Sequence, residues 1–268
     1  MLVKKNYHTH TSRCGHANGN DEEYVLEAIK NGYTVLGFSD HVMLPNIEQK
    51  GIRGNYELLD DYINSINILK KKYANKIDIK IGFEAEYLPE FKDYYQDLLN
   101  SGKIDYLILG QHCYYDKNKH ALVFYNEKHY DLETLFHYRD DLIKGMESGL
   151  FSYVAHPDLI MSGYGKWDDN AIIVAHQICQ AAVKNKIPLE INLGGARYFR
   201  NKTTIPSGYP FDPFWEIVGM YPIEVVVGVD NHNPNEFGSD QSVAFDIIKY
   251  NKLKYNPDVK MYRERDTK

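Results

Sequence analysis

The sequence predicts a closed, somewhat irregular (β/α) barrel of about seven strand–helix units in a chain of 268 residues. Short apolar segments alternate with helical patterns along the whole chain, which is typical of a parallel sheet whose faces are covered by helices. Candidate ligand side chains fall where the predicted strands end, and (β/α) barrels carry their active sites at those ends. A doubly wound open sheet is the alternative, but no Gly-rich nucleotide fingerprint such as G-x-G-x-x-G or G-K-[ST] is present.

The first half of the chain alternates four strands with three helices. The helix predicted at 21–31 has acidic residues in its first turn and Gly32 just past its end. The helix at 56–73 carries apolar residues at helical spacing, and the short helix at 91–100 is closed by Gly102. The strands of this half are predicted at 3–10, 34–40, 77–87 and 106–111.

The second half continues the alternation. The helix at 168–185 is rich in Ala, Ile and Val, and the strand at 223–229 is rich in β-branched residues, which favour strands. The remaining strands are predicted at 153–156 and 189–193, and the remaining helices at 132–148, 214–220 and 236–249. No linker or low-complexity segment interrupts this order, so we expect one domain over residues 1–268.

Composition narrows the class of protein. The net charge is −6, from 31 basic and 37 acidic residues, with no Lys/Arg block. We therefore expect no nucleic-acid partner, although a small anionic substrate is compatible with such a charge. No apolar run approaches the roughly 20 residues that span a bilayer, and the first residues have no apolar signal core. Cys14, Cys113 and Cys179 are few and widely spaced, which favours free thiols in a reducing compartment. We expect a cytoplasmic protein with no membrane partner.

Seven of the eleven histidines lie where predicted strands end, and carboxylates lie beside them. Because side chains alternate along a strand, His8 and His10 share a face, as do Asp230 and His232. Imidazole and carboxylate together are ligands of zinc, iron and manganese. The pattern predicts a multinuclear metal centre that activates water, and hence a hydrolase. The candidate residues are His8, His10, His16, Asp40, His41, Glu84, His112, His156, Asp230 and His232.

Three assignments stay open at this level. Glu84 and Glu86 point to the same face of an ideal strand, so either could reach the centre. Asp40 and His41 are adjacent and should face opposite ways unless the strand is ending. Cys14 and Cys113 are near candidate ligands, but we do not expect either to bind metal. His120, His129, His137 and His176 lie away from the strand ends and are expected to be ordinary surface or core residues.

The motifs, taken in order, resemble those of the PHP (polymerase and histidinol phosphatase) family over essentially the whole chain. One H-x-H alone is a weak signal, whereas six motifs in the right order at strand ends are specific. The 82–87 segment (Gly-Phe-Glu-Ala-Glu-Tyr) and the absence of a polymerase body are most similar to the stand-alone histidinol-phosphatase branch. The motifs are His8-Thr9-His10-Thr11, Ser39-Asp40-His41, Gly82-Phe83-Glu84, Gly110-Gln111-His112, Ala155-His156 and Gly228-Val229-Asp230-Asn231-His232.

The resemblance implies a distorted seven-fold barrel with two or three divalent ions of zinc, iron or manganese. It implies His8, His10, Glu84 and Asp230 for a first ion. Glu84 would be shared with a second ion, which adds His112 and His156. The third ion would use His16, His41 and His232, with Asp40 as an acid nearby. The implied activity is hydrolysis of a phosphomonoester by metal-bound hydroxide, with L-histidinol phosphate as the expected substrate. We expect Asp40, or His232 through its ligated water, to protonate the leaving alcohol.

Arginine is expected in the phosphate site because its planar guanidinium matches phosphate geometry. Arg197, in a Gly-rich loop after the sixth strand, is the first candidate, for binding and for catalysis; Arg13 and Arg53 follow. The chain departs from the expected pattern after His156, where the nearest basic residue is Lys166. Other small phosphomonoesters, phosphotyrosine, nucleic-acid phosphodiesters or a non-enzymatic metal-binding role are the alternatives.

Overall fold

The computed structural model describes residues 4–125, 131–199 and 208–265. Its parallel strands follow one another around a circuit. The sheet β1–β2–β3–β4 is joined to β7–β8–β9 by isolated parallel bridges from Leu109 to Val154 and from Val154 to Leu189. A further bridge from Thr9 to Asn231 links the last part of the circuit to the first. The strands are β1 (Lys5–Asn6), β2 (Val35–His41), β3 (Asp78–Ala85), β4 (Tyr106–Leu109), β5 (Cys113–Asp116), β6 (Ala121–Phe124), β7 (Leu189–Asn192), β8 (Glu224–Gly228) and β9 (Lys254–Tyr255).

Helices connect consecutive parallel strands and pack outside them. α1 begins at a capping box, in which Asn20 and Glu23 exchange side-chain-to-backbone hydrogen bonds. α2 buries one stripe of apolar side chains, including Tyr62 and Ile66, as its 3.6-residue period predicts. The helices are α1 (Asp21–Lys30), α2 (Leu59–Lys72), α3 (Lys92–Ser101), α4 (Leu132–Glu147), α5 (Met161–Tyr164), α6 (Asp169–Asn185), α7 (Leu193–Phe199), α8 (Asp212–Val218) and α9 (Ser242–Tyr250).

The predicted fold class, a distorted (β/α) barrel, is confirmed, while several element boundaries are wrong. The strand predicted at 153–156 is reduced to the bridge at Val154. The helix predicted at 236–249 is a 3-10 turn, Pro234–Gly238, followed by α9. The antiparallel hairpin of β5 and β6 and the short strand β9 were not predicted. The segment at Gly194 was expected to be a loop but forms the helix α7, because three of its residues, including Leu193 and Ala196, are buried against the barrel.

The interior of the barrel below the candidate ligands is filled by side chains. The Tyr106 hydroxyl donates to the backbone oxygens of Tyr7 (2.7 Å) and Phe38 (3.1 Å) across the interior. Gly37 and Gly82 pack against the Tyr106 side chain, which leaves no room for a Cβ at either position. The filled interior therefore separates the ligand-bearing ends of the strands from the opposite end of the barrel. Within the described ranges, no helix is both long and apolar enough to cross a membrane.

Candidate functional site

Glu84 lies at the centre of the predicted ligands. It is 1% exposed and comes from the buried end of β3. Five histidines have a ring nitrogen within 3.4 Å of its carboxylate oxygens. They are His8 (3.4 Å), His10 (3.4 Å), His41 (3.2 Å), His112 (3.4 Å) and His156 (2.8 Å). A carboxylate with two oxygens in such a ring can bridge two cations.

Among His8 Nε2, His10 Nε2, Glu84 Oε2 and Asp230 Oδ1, the four nitrogen–oxygen distances match the spacing around a tetrahedral ion. Nε2 of His8 lies 3.4 Å from Glu84 Oε2 and 3.5 Å from Asp230 Oδ1. Nε2 of His10 lies 3.4 Å and 3.1 Å from the same two oxygens. Around a tetrahedral zinc ion with bonds of about 2.0–2.1 Å, neighbouring ligand atoms are about 3.3 Å apart. His8 Nε2 and Asp230 Oδ1 are buried and have no hydrogen-bond partner, so this donor set fits a divalent cation.

The other oxygen of Glu84 has its own pair of histidines. Oε1 lies 2.8 Å from His156 Nε2 and 3.4 Å from His112 Nε2. His156 and Asp230 both have positive φ, at 29° and 52°, which is uncommon for residues with a side chain. The chain therefore turns sharply at two of the predicted ligands, as it can when a site over-determines the backbone.

His16, His41 and His232 lie at the outer part of the cluster. Nε2 of His232 is 2.9 Å from Nε2 of His16. His10, His41 and His232 offer ligand atoms that lie within 4.8 Å of one another, as do Cys14, His16 and His232. Burial raises the pKa of Cys14 to about 12, so its thiol is protonated in the metal-free protein.

Glycines make room for the carboxylates. A Cβ on Gly110 would lie 2.6 Å from Cγ and Cδ of Glu84, and a Cβ on Gly194 would lie 2.9 Å from Cγ of Asp230. Both distances are far below ordinary carbon contacts of about 3.5–4.0 Å. These glycines are thus required by the close approach of a side chain rather than by a turn.

Two further carboxylates orient the histidines from behind. Glu190 accepts from His8 Nδ1 (2.9 Å) and from the backbone N–H of His156 (3.2 Å). Glu86 lies 3.1 Å from His112 Nδ1. A hydrogen bond at Nδ1 fixes the tautomer that leaves Nε2 free for a metal. Sequence reasoning missed Glu190; its signal was an acidic residue within the apolar strand Leu-Glu-Ile-Asn.

The charges of the site are strongly coupled. Burial alone would lower the pKa of His8, but Glu190, Asp230 and Glu84 outweigh it and raise that pKa well above its usual value. Burial also opposes the charged form of His10, while the nearby carboxylates of Asp230 and Asp40 raise its pKa to about 9. Glu84 is the reverse case, because burial would raise its pKa and the surrounding histidines hold it well below its usual value. In the metal-free protein, the imidazoles of His8 and His10 therefore carry positive charge near pH 7.

The outer histidines behave differently. Burial, followed by repulsion from His10, lowers the pKa of His41 well below its usual value. The same two causes lower the pKa of His232 to about 3. Both rings are neutral near pH 7 and have an imidazole lone pair available to a cation.

Neither Arg13 nor Arg53 lines the cavity that opens over the predicted ligands. Arg13 is held by Asp21 (2.9 Å) and Asp61 (2.8 Å). Arg53 is 2% exposed and donates to Glu86 (3.0 Å) and to the backbone oxygen of Val42 (2.9 Å). Both guanidiniums are occupied by protein acceptors, which is unfavourable for phosphate binding.

Arg197 contacts the segment that carries Asp230, and it lies on the helix α7 rather than in the predicted loop. Its Nη2 donates to the backbone oxygen of Asp230 (2.8 Å) and to Glu236 (3.1 Å), which in turn accepts from the backbone N–H of His232 (2.7 Å). Arg197 therefore fastens the turn that carries two predicted ligands. Asp40 is fully buried, accepts from the Thr11 hydroxyl and lies 3.5 Å from His10 Nδ1. It is not among the residues that line the cavity.

A cavity of about 270 Å³ opens over the cluster. Its histidine and carboxylate lining is completed by two apolar side chains, one aromatic phenol and one glycine. The lining residues are His10, His16, His41, Gly51, Ile52, Glu84, His112, Phe124, His156, Tyr209, Asp230 and His232. A small molecule can reach the predicted ligands there.

Residues 6–193 match the family model described as the PHP domain. The chain belongs to this family. Among curated PHP relatives, a probable histidinol-phosphatase of Deinococcus radiodurans is 28% identical over 235 residues, which are 86% of this chain and 87% of that protein. A histidinol-phosphatase of Bacillus subtilis is 33% identical over 98 residues, covering 34% of this chain and 37% of the relative.

A solved structure shares the PHP fold. The crystal structure of histidinol phosphate phosphatase from Lactococcus lactis, complexed with zinc, L-histidinol and phosphate, superposes with a TM-score of 0.72. The two proteins are 19% identical, and the match covers 97% of this chain and 99% of the other. At this identity the likeness establishes the fold.

Proposed function

We propose that this protein is a metal-dependent phosphomonoesterase that hydrolyses L-histidinol phosphate to L-histidinol and phosphate. The four-atom set of His8, His10, Glu84 and Asp230 carries the proposal, because its four nitrogen–oxygen distances of 3.1–3.5 Å fit one tetrahedral cation. The names of the curated relatives and the L-histidinol and phosphate bound by the Lactococcus protein support this substrate.

We assign the ions to three groups of residues. His8, His10, Glu84 and Asp230 would hold the first, Glu84 with His112 and His156 the second, and His16, His41 and His232 the third. The donor set suits zinc, iron or manganese; zinc is the ion in the Lactococcus structure. When bound, such ions lower the pKa of water and neutralise charge on phosphate oxygens.

The remaining residues of the site position these ligands. Glu190 and Glu86 fix the tautomers of His8 and His112, and Asp40 lies against His10 Nδ1. Arg197 keeps the Asp230 turn in place through its backbone oxygen. A proton donor role for Asp40 or His232 stays a prediction, as does phosphate binding by Arg197.

We also propose that residues 1–268 form one phosphoesterase domain that acts in the cytoplasm on a small phosphorylated substrate, without nucleic acid. The three cysteines are buried free thiols, which suits a reducing compartment. The negative net charge disfavours a polyanion.

Steady-state phosphate release from L-histidinol phosphate by the zinc- or manganese-loaded protein tests the proposal. We expect kcat/KM above about 10⁴ M⁻¹s⁻¹ and complete loss after EDTA treatment. We also expect loss of metal and activity in His10→Ala and Asp230→Ala. Turnover of bis(p-nitrophenyl) phosphate in preference to L-histidinol phosphate would contradict the monoesterase assignment. Metal-dependent turnover of another monoester alone would contradict the substrate.

A further inference from the structure

We propose that Tyr209 determines substrate specificity by contacting the organic part of a phosphomonoester whose alcohol carries a flat aromatic ring. The inference rests on the proposed function, because it assigns the part of the substrate that the metal ligands do not bind. Sequence reasoning did not single out Tyr209, which lies between two predicted elements and outside every motif.

Tyr209 lies beside the predicted ligands. It lines the cavity, and its ring centroid is 5.3 Å from the ring of His156. His156 in turn lies 2.8 Å from Glu84. An alcohol esterified to a phosphate at the cluster must occupy the same cavity within a few ångströms of that phosphate. Tyr209 is therefore placed to touch the alcohol rather than the phosphorus.

Gly195 holds the ring of Tyr209 in this position. A Cβ on Gly195 would overlap the Tyr209 ring and its carbonyl oxygen, so the tyrosine rests directly on the backbone of α7. This close contact explains the second glycine of the Gly194-Gly195 pair, whose first member makes room for Asp230. The pair thus serves a metal ligand and a wall of the cavity.

Asp158 anchors the chain that follows Tyr209. Its Oδ2 accepts from the backbone N–H of Phe211 (2.7 Å) and from Nε1 of the fully buried Trp215 (3.0 Å). Asp158 comes two residues after His156, in the stretch where a basic residue was expected. The carboxylate there is buried and binds protein donors, so it acts as a positioning residue for the Tyr209 wall.

The chemistry of the cavity favours an aromatic group. Among the described residues that line it, none is Lys or Arg, and all its histidines and carboxylates are assigned to metal ions. The organic group therefore meets mainly the rings of Phe124 and Tyr209 and the side chain of Ile52. Aromatic pairs contribute about 0.5–1.5 kcal/mol beyond the area that they bury. A polyol has no ring to pair with these aromatic side chains and little apolar area to bury, and its hydroxyl groups must give up bound water. L-Histidinol phosphate, with its imidazole ring, belongs to the favoured class.

The test compares kcat/KM for L-histidinol phosphate, phenyl phosphate and glycerol 3-phosphate in wild type and variants of the metal-loaded full chain. We expect Tyr209→Ala to lower the value for the two ring-bearing esters about 10- to 100-fold and that for glycerol 3-phosphate less than about threefold. Bound metal per chain should be unchanged, and Tyr209→Phe should retain selectivity. Tyr250→Ala, which removes a tyrosine that is 79% exposed, is the matched control.

Asp158 gives an independent check. Asp158→Ala removes the acceptor of two N–H groups and should reduce selectivity as Tyr209→Ala does. Asp158→Asn keeps an acceptor oxygen, and Oδ1 of Asp158 has no hydrogen-bond partner to lose, so it should retain selectivity. An equal change for all three esters in Tyr209→Ala, or none, would overturn the inference alone. A wild type that releases phosphate from none of the esters would overturn the proposed function and this inference with it.

Discussion

Gly110→Ala should disable the proposed centre without changing any ligand. The new Cβ would lie 2.6 Å from Cγ and Cδ of Glu84, whereas carbon atoms in contact are about 3.5 Å apart. Glu84 must therefore move by about 1 Å. It is 1% exposed and surrounded by five histidines, so this shift displaces its oxygens relative to the other predicted ligands.

A 1 Å misplacement at a reacting site costs about 10²-fold in rate, which corresponds to about 2.7 kcal/mol. We expect kcat/KM for L-histidinol phosphate to fall by at least about that factor. Bound metal per chain, measured by elemental analysis after dialysis, should fall with it, because Glu84 is assigned to two of the proposed ions.

Gly37→Ala is the matched control. Its Cβ would lie 2.8 Å from Cα of Tyr7 and would meet the Tyr106 ring, at the filled end of the barrel. Each variant adds a methyl group to a tightly packed position, Gly37→Ala within β2 and Gly110→Ala just after β4. We expect this overpacking to cost about 1–3 kcal/mol in the free energy of unfolding. Only Gly110→Ala should lose metal. Equal metal content and activity in the two variants would refute the assignment of Glu84 as a shared ligand.

Three further predictions concern the orienting groups, pH and the thiols. Glu190→Gln should weaken metal binding about 10- to 100-fold in chelator competition, because His8 loses its charged partner; unchanged affinity would contradict that role. In the metal-free protein, the stabilisation from His10, with a pKa of about 9, is fully present below pH 6.5 and lost as pH rises to 9. Urea unfolding in EDTA should show that wild type loses about 3 kcal/mol more over this range than His10→Gln does; an equal loss in that variant would contradict it. Since all three cysteines are buried with raised pKa values, a disulfide reagent should label three thiols after unfolding and fewer than one before.

Strand periodicity predicted the fold and placed the candidate ligands at strand ends. It did not predict which of two neighbouring candidates reaches the centre. It could not separate Glu84 from Glu86, because both fall on one face of an ideal strand. The structure separates them because β3 ends at Ala85. Beyond that point Glu86 binds Arg53 and lies beside His112, while Glu84 remains at the centre.

Pattern reasoning missed the supporting residues, and only Glu190 left a signal in the sequence, as an acidic residue within an apolar strand. Glu190, Asp158 and Tyr209 act through contacts across the barrel that are distant in sequence. The arginine predictions took loop position as a guide, yet Arg13 is held by carboxylates of α1 and α2. His129 lies outside the described residues, and its expected surface or core role stays a prediction.

Anomalous X-ray diffraction from crystals grown with zinc tests the proposed metal binding most directly. We expect a peak about 2.0–2.2 Å from His8 Nε2, His10 Nε2 and carboxylate oxygens of Glu84 and Asp230, and a second peak beside the other oxygen of Glu84. Well-ordered crystals grown with zinc that show no anomalous peak at Glu84 would contradict the metal centre and the hydrolytic function that depends on it.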